Sequence, residues 1–145
     1  MIAINSAIDK ASEIIRSRSA YGDYEDAYCV LAQEDLDGRL TAAVITAASA
    51  DGIKHVNFCS GIRSNWVKRV ERDTRAAVCF ASDSYSITLR GRLEILTDAE
   101  TKKDNWYKGL ENHYTGHEDP NYCVIRFTTE VYKLFIDWEE TEGVI

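Results

Sequence analysis

The sequence predicts a mainly β (α+β) fold, a small and mostly antiparallel barrel flanked by helices. Three observations carry that prediction. Some six segments are apolar or alternating at strand length, short turn-bearing links join most of them, and only a few helical patterns interrupt the series. A doubly wound parallel sheet is excluded, because strands and helices do not alternate and no Gly-x-Gly-x-x-Gly occurs. A phosphate loop of the Gly-Lys-Ser/Thr type and a Gly-x-Ser-x-Gly elbow are also absent.

Ile4, Ile8, Ala11 and Ile15 recur at helical spacing, which predicts an amphipathic helix over 4–18. Tyr21 to Asp26 reads as a polar loop. Residues 27–33 form a first strand, Asp35 to Gly38 a turn and residues 40–49 a second strand. Asp51-Gly52 leads into a third strand ending near Phe58. Ser64 opens a helix over 64–72 that carries Trp66, Val67 and Val70 inward. Arg75 to Ala81 is nearly all apolar, the pattern of a strand buried on both faces. Next, Tyr85, Ile87, Leu89, Leu93 and Ile95 oppose Ser86, Thr88, Arg90, Arg92 and Glu94 across one strand. Gly91 interrupts it, where a closing barrel would place a bulge. Thr97 to Glu100 reads as a capping box for a helix carrying Trp106 and Leu110. After a polar loop from Tyr114 to Pro120, residues 122–127 and 131–138 are extended, with a kink between them.

Size and composition narrow the function. The 145 residues form one domain, 1–145, with the barrel at about 25–138. A net charge of −7 argues against nucleic-acid binding, and Glu71 and Asp73 break up the basic group Lys68, Arg69, Arg72 and Arg75. No apolar run reaches membrane-spanning length and no signal-peptide pattern opens the chain. The expectation is a soluble, cytoplasmic protein with no membrane partner. Cys29, Cys59, Cys79 and Cys123 form no Cys-x-x-Cys pair and sit in strand patterns, as core thiols do. His113 and His117 are separated by Gly116 and read as loop histidines, so no metal site is expected.

Residues 58–70 carry the strongest chemical signal. A strand ending at Phe58, a turn through Ser60 and Gly61, and a helix opening at Ser64 bring backbone N–H groups and a positive dipole end to one corner. The hydroxyls of Ser60 and Ser64 and the guanidinium of Arg63 crowd the same corner, which suits a phosphate. Ser64 acting only as a helix cap is the alternative.

Five motifs in order then give the chain a family likeness. They are Phe58-Cys-Ser60 with Ser64-Asn-Trp-Val67, Arg75 to Phe80, Leu89-Arg-Gly91 to Asp98, Gly116 to Tyr122, and Val124-Ile-Arg126. With them the chain resembles the pyridoxamine 5′-phosphate oxidase-like FMN-binding split barrels, in the small general-stress-protein branch, over about residues 25–138. The resemblance implies a split β-barrel homodimer with two FMN sites at the subunit interface. It assigns Ser60 and Ser64 to the flavin phosphate and the backbone of Val44, Ile45 and Thr46 to the isoalloxazine ring. Ser86 falls near the place where the oxidases have a glutamine to the flavin.

Where the family usually has Lys or Arg just before the valine, this chain has Trp66, and Asn65 stands where the oxidases have a preceding Arg. Losing those cations removes charge-assisted bonds worth about 1.5–3 kcal/mol each. Arg63, Arg39 and Lys68 are candidates to compensate. The acidic end, Asp137 to Glu142, lacks the substrate-binding Arg and His of the true oxidases, so pyridoxamine phosphate is not the expected substrate. The implied function is a flavin-dependent oxidoreductase of a small molecule, with NADH or NADPH as candidate reductants. The alternatives are a non-catalytic flavin or tetrapyrrole binding or sensing dimer, and a scaffold with an empty site. Trp66, Trp106, Tyr114 and Trp138 are candidate ring contacts, with core or interface packing as the alternative. No acid–base pair stands out, as expected where the cofactor carries the chemistry.

Overall fold

The computed structural model describes residues 4–20 and 27–145. The predicted loop from Tyr21 to Asp26 lies outside the described residues. In chain order the elements are α1 (Ile4–Ser17), β1 (Tyr28–Glu34), β2 (Leu40–Thr46), β3 (Ser49–Asp51), β4 (His55–Gly61) and α2 (Asn65–Arg72). Next come β5 (Arg75–Ala81), β6 (Tyr85–Leu96), α3 (Ala99–Asp104), a 3-10 turn at Lys108–Asn112, β7 (Tyr122–Ile136) and β8 (Glu139–Val144). All pairings are antiparallel, in the order β2-β1-β5-β6-β7-β4-β3, with β8 added to β7.

That order explains why the sheet curls. β2 and β3 stand at its two ends, yet only Ala47 and Ala48 separate them in the chain. The three steps from Thr46 to Ser49 span at most about 10 Å, so the two edges must come together there. Ala47 N–H donates to the Ala27 carbonyl beside β1, and Ala48 N–H to the Asn57 carbonyl on β4. Both alanines are fully buried, since a larger side chain has no room at such a seam. The result is the predicted half-open barrel. Phe58, Phe80, Ile87, Leu89, Ile125, Phe127 and Leu134 fill its interior, with Ala7, Ala11 and Ile15 of α1 and Trp66, Val67 and Val70 of α2 packed against them.

β7 is the spine. It pairs with β6 along one edge, while its other edge pairs with β4 over its first half and β8 over its second. The change of partner coincides with a bulge. Arg90 faces Val131 and Gly91 faces Thr129, leaving Glu130 as the extra residue. A Cβ on Gly91 would stand 1.9 Å from the Thr128 carbonyl oxygen, so only glycine lets the two backbones approach this closely.

Several elements differ from the sequence expectation, for local reasons. β2 stops at Thr46, and Ser49–Asp51 forms its own short strand across the seam. The acidic end forms β8 instead of a tail, through a tight turn with Asp137 and Trp138 at positive φ (53° and 65°). Glutamates are poor strand formers and Asp-Trp is not a common turn pair, so local pattern hides this hairpin. α3 is only six residues, is capped by Asp98 through Thr101 N–H (3.0 Å), and ends before Trp106. Leu110 instead sits on the 3-10 turn. β5 is buried on one face only. Ala77 and Cys79 stay half-exposed on the outer side, where Tyr28, Val30 and Val44 are also exposed.

Gly91→Ala should lower unfolding stability by about 2–4 kcal/mol, measured as a urea midpoint, because backbone must shift. Gly116→Ala, where a Cβ meets nothing within 4 Å, should stay within about 0.5 kcal/mol of wild type.

Candidate functional site

The corner between β4 and α2 has the predicted form. Ser64 is the N-cap, its backbone extended, and its Oγ accepts from Val67 N–H at 3.1 Å. Ser60 Oγ lies 2.9 Å from Ser64 Oγ, so the two hydroxyls form one polar pair. The Asn65 and Trp66 N–H groups belong to the first helical turn and have no intrahelical acceptor. Arg63 and Asn65 are exposed beside the pair, and Arg63 makes no ion pair among the described residues. Of the cations considered as compensators, Arg39 pairs with Asp37 in the β1–β2 turn, while Lys68 is exposed one helical turn beyond Ser64.

Trp66 points away from this corner. Its ring packs on Phe58 with centroids 5.5 Å apart, and its buried indole N–H finds no partner among the described residues. Four-residue spacing puts Trp66 on the Val70 stripe of α2, and that stripe faces the core.

A cleft of about 300 Å³ adjoins the corner. Tyr28 and Val44, Ile45 and Thr46 line one side, Cys59 of β4 takes part, and Tyr107, Leu110, His113 and Tyr114 supply the rest. Cys59 immediately precedes Ser60, and a Cβ on Gly61 would stand 3.5 Å from the Tyr114 hydroxyl, so cleft and corner are neighbours. None of the described lining residues is Lys, Arg, Asp or Glu. Two sequence-predicted pieces, the β2 strand and the serine corner, are thereby brought together by the Ala47–Ala48 seam. Ser86 is not. It lies on the outer face of β6 opposite Ala81 and Phe135, three strand spacings or about 14 Å from β2.

Tyr107, Leu110, His113 and Tyr114 form a wall that sequence reasoning largely missed, because a 3-10 turn and loop have no hydrophobic period. Behind the wall, Leu110, Tyr122 and Val124 form a small second core. Trp106 and Tyr114 each sit 5.4 Å from the Tyr122 ring, so Trp106 packs rather than facing the cleft. Trp138 is 87% exposed at the β7–β8 turn, edge-on to Phe135. The loop after the wall is tied by Asp119, whose carboxylate accepts from Thr115 N–H (3.0 Å) and Asn121 N–H (2.9 Å). Those backbone donors hold it below the usual carboxylate range. No group of three or more metal-ligating side chains occurs among the described residues.

Cys59 is held as a structural thiol. Its thiol donates to the Asn105 carbonyl at 3.4 Å and lies 3.5 Å from the Tyr122 hydroxyl. Burial pushes its pKa up to about 12, partly opposed by Tyr122, so it stays protonated at neutral pH.

A family model for pyridoxamine 5′-phosphate oxidase-like proteins matches residues 21–142. The chain belongs to that family. The fold of this pyridoxamine 5′-phosphate oxidase-like chain is similar to that of a protein related to general stress protein 26 from Clostridium acetobutylicum, at TM-score 0.76 and 20% identity. That match covers 95% of this chain and 94% of the other. A pyridoxamine 5′-phosphate oxidase-related, FMN-binding protein from Nostoc punctiforme superposes at TM-score 0.67 with 14% identity, over 100% and 98% of the two chains. A heme-binding protein from Mycobacterium smegmatis gives TM-score 0.71 at 14% identity, over 99% of this chain and 60% of its own. No curated protein matches. No helix among the described residues is long and apolar enough to cross a membrane.

Burial also raises Cys29 to about 12 and Cys123 to about 11, against about 9 for an unburied thiol. Above pH 9 the unfolded chain therefore releases thiol protons that the folded chain keeps. Stability from these thiols is complete below pH 9 and falls between pH 9 and 12, by at most about 1.4 kcal/mol per pH unit for each thiol. Cys59→Ala should make that decline shallower in urea titrations across the range.

Proposed function

We propose that this chain binds FMN and acts, as a homodimer, as a flavin-dependent oxidoreductase of a small molecule. One observation carries the reading: an aromatic-walled cleft without Lys, Arg, Asp or Glu among its described lining lies beside a hydroxyl-and-amide corner at a helix start. A flavin nucleotide has that division, a flat, largely uncharged ring system at one end and a phosphate at the other. The phosphate would be held by the Ser60 and Ser64 hydroxyls, the Asn65 and Trp66 N–H groups and Arg63. Val44, Ile45 and Thr46 would border the ring on one side and Tyr107 and Tyr114 on the other. Bound flavin supplies the hydride chemistry, so the protein's part is to bind, orient and shield.

The fit is good at the corner except for Trp66, whose side chain lies in the core. Arg63 then carries the positive charge that the family usually takes from the next helix residues. No Lys or Arg lines the cleft wall among the described residues, which argues against pyridoxamine phosphate as the substrate.

A second copy is favoured by the outer sheet face. β2 pairs only with β1 among the described residues, residues 40–50 carry no charge, and Leu40 and Val44 are 88% and 69% exposed. Uncharged edge strands invite pairing, and soluble chains normally protect them. A partner covering this face would bury the half-exposed Ala77 and Cys79 and close the open side of the cleft.

FMN titration should give saturable quenching of flavin fluorescence. Arg63→Ala should weaken binding about tenfold with little change in stability. Hemin added in place of FMN, followed by its Soret band, tests the tetrapyrrole alternative; tighter binding of hemin than of FMN would overturn the flavin reading. Val44→Asp should shift the protein from dimer to monomer in analytical ultracentrifugation. An unchanged dimer would mean that another surface pairs the copies.

A further inference from the structure

A partly buried run of polar side chains joins the sheet to the wall of the cleft. Arg126 Nε on β7 donates to Asn57 Oδ1 (2.9 Å), and Asn57 Nδ2 donates to Ser49 Oγ (3.0 Å). Ser49 Oγ donates to Asn105 Oδ1 (2.6 Å), and Asn105 Nδ2 donates to the Thr101 carbonyl (3.0 Å). Each hydroxyl and amide is used in one sense along the run, so each link enforces the orientation of the next. Asn57 and Asn105 are only 8% and 3% exposed, and a single cation, Arg126, heads the run.

Asn105 is where the run meets the cleft. It ends α3, its own carbonyl accepts the Cys59 thiol, and the next nine residues are the wall segment 106–114. The backbone bonds of Leu110, His113 and Tyr114 are local to that segment. The wall's place against β2 is therefore set by its packing on Tyr122 together with the way Asn105, just before it, is held.

We propose that Asn105 is a positioning residue for the ligand cleft. Through Ser49 and Asn57 it latches the wall segment to β3 and β4, and so sets how far Tyr107 and Tyr114 stand from Val44 and Thr46. This rests on the FMN reading only for the identity of the guest; the latch itself is a property of the chain. It also gives Arg126 a role, as the charged head of a polar run rather than a ligand contact.

Two variants test it. Asn105→Asp keeps the shape and the acceptor for Ser49 but loses the donor to Thr101. Ser49→Ala removes the middle link without touching the wall. FMN affinity is measured together with the rate at which a thiol reagent labels Cys59 and Cys29 in the folded protein. Both variants should weaken FMN about tenfold. Cys59 should label faster while the core thiol Cys29 keeps its wild-type rate. Equal acceleration at both cysteines would mean general loosening and would overturn the proposal, as would wild-type labelling and affinity in folded Ser49→Ala protein. If wild-type protein binds no FMN, the cofactor reading fails, and the labelling rates alone still decide the latch.

Discussion

A chain that crosses from one edge of its sheet to the other in two residues can do so only if the edges touch. Ala47 and Ala48 impose that condition, and the rest of the molecule follows from it. The seam curls the sheet and creates an interior for the large apolar side chains. It also sets β2 beside the end of β4, which are far apart in strand order. The cleft exists because of that juxtaposition. At the opposite side of the curl, the Gly91 bulge lets β7 change partners without breaking its ladder with β6. The curvature thus has two sources, a short link and a backbone contact that excludes a side chain.

The site's electrostatics are divided. The chain is acidic overall, yet the corner at Ser60 and Ser64 offers hydroxyls, helix N–H groups and a guanidinium with no ion pair among the described residues, all suited to an anion. The adjoining cleft has no Lys, Arg, Asp or Glu among its described lining. The Trp66 side chain takes no part in that corner. A large apolar ring at that helix position gains more from the core than from solvent, and here it packs on Phe58. Burial likewise explains why Cys59, though adjacent to the corner, behaves as a protonated structural thiol.

The wall of the cleft belongs to the least regular part of the fold. Its packing comes from a small aromatic core around Tyr122, and its starting point from a partly buried hydrogen-bond run that ends at Asn105. Loops positioned this way can line a site with useful accuracy, because each buried polar group must keep its partner or lose its solvation without return.

Much of this was legible in the sequence, and the reason is periodicity. The 3.6 spacing of Ile8, Ala11 and Ile15, the alternation from Tyr85 to Ile95, Ser64 as a cap and Gly91 as a bulge are all local signals, and each is found in the structure. The family likeness rested on motifs of the same local kind. What only tertiary structure decided is non-local. The pairing of the glutamate-rich β8 depends on β7, the direction of Trp66 depends on Phe58, and the separation of Ser86 from β2 depends on two intervening strands. The aromatic wall has no spacing by which to be recognised, since its residues meet the cleft through a polar run assembled from β7, β4, β3 and α3. Short-range patterning specifies which elements form, and contacts between distant elements decide which of their residues share a site.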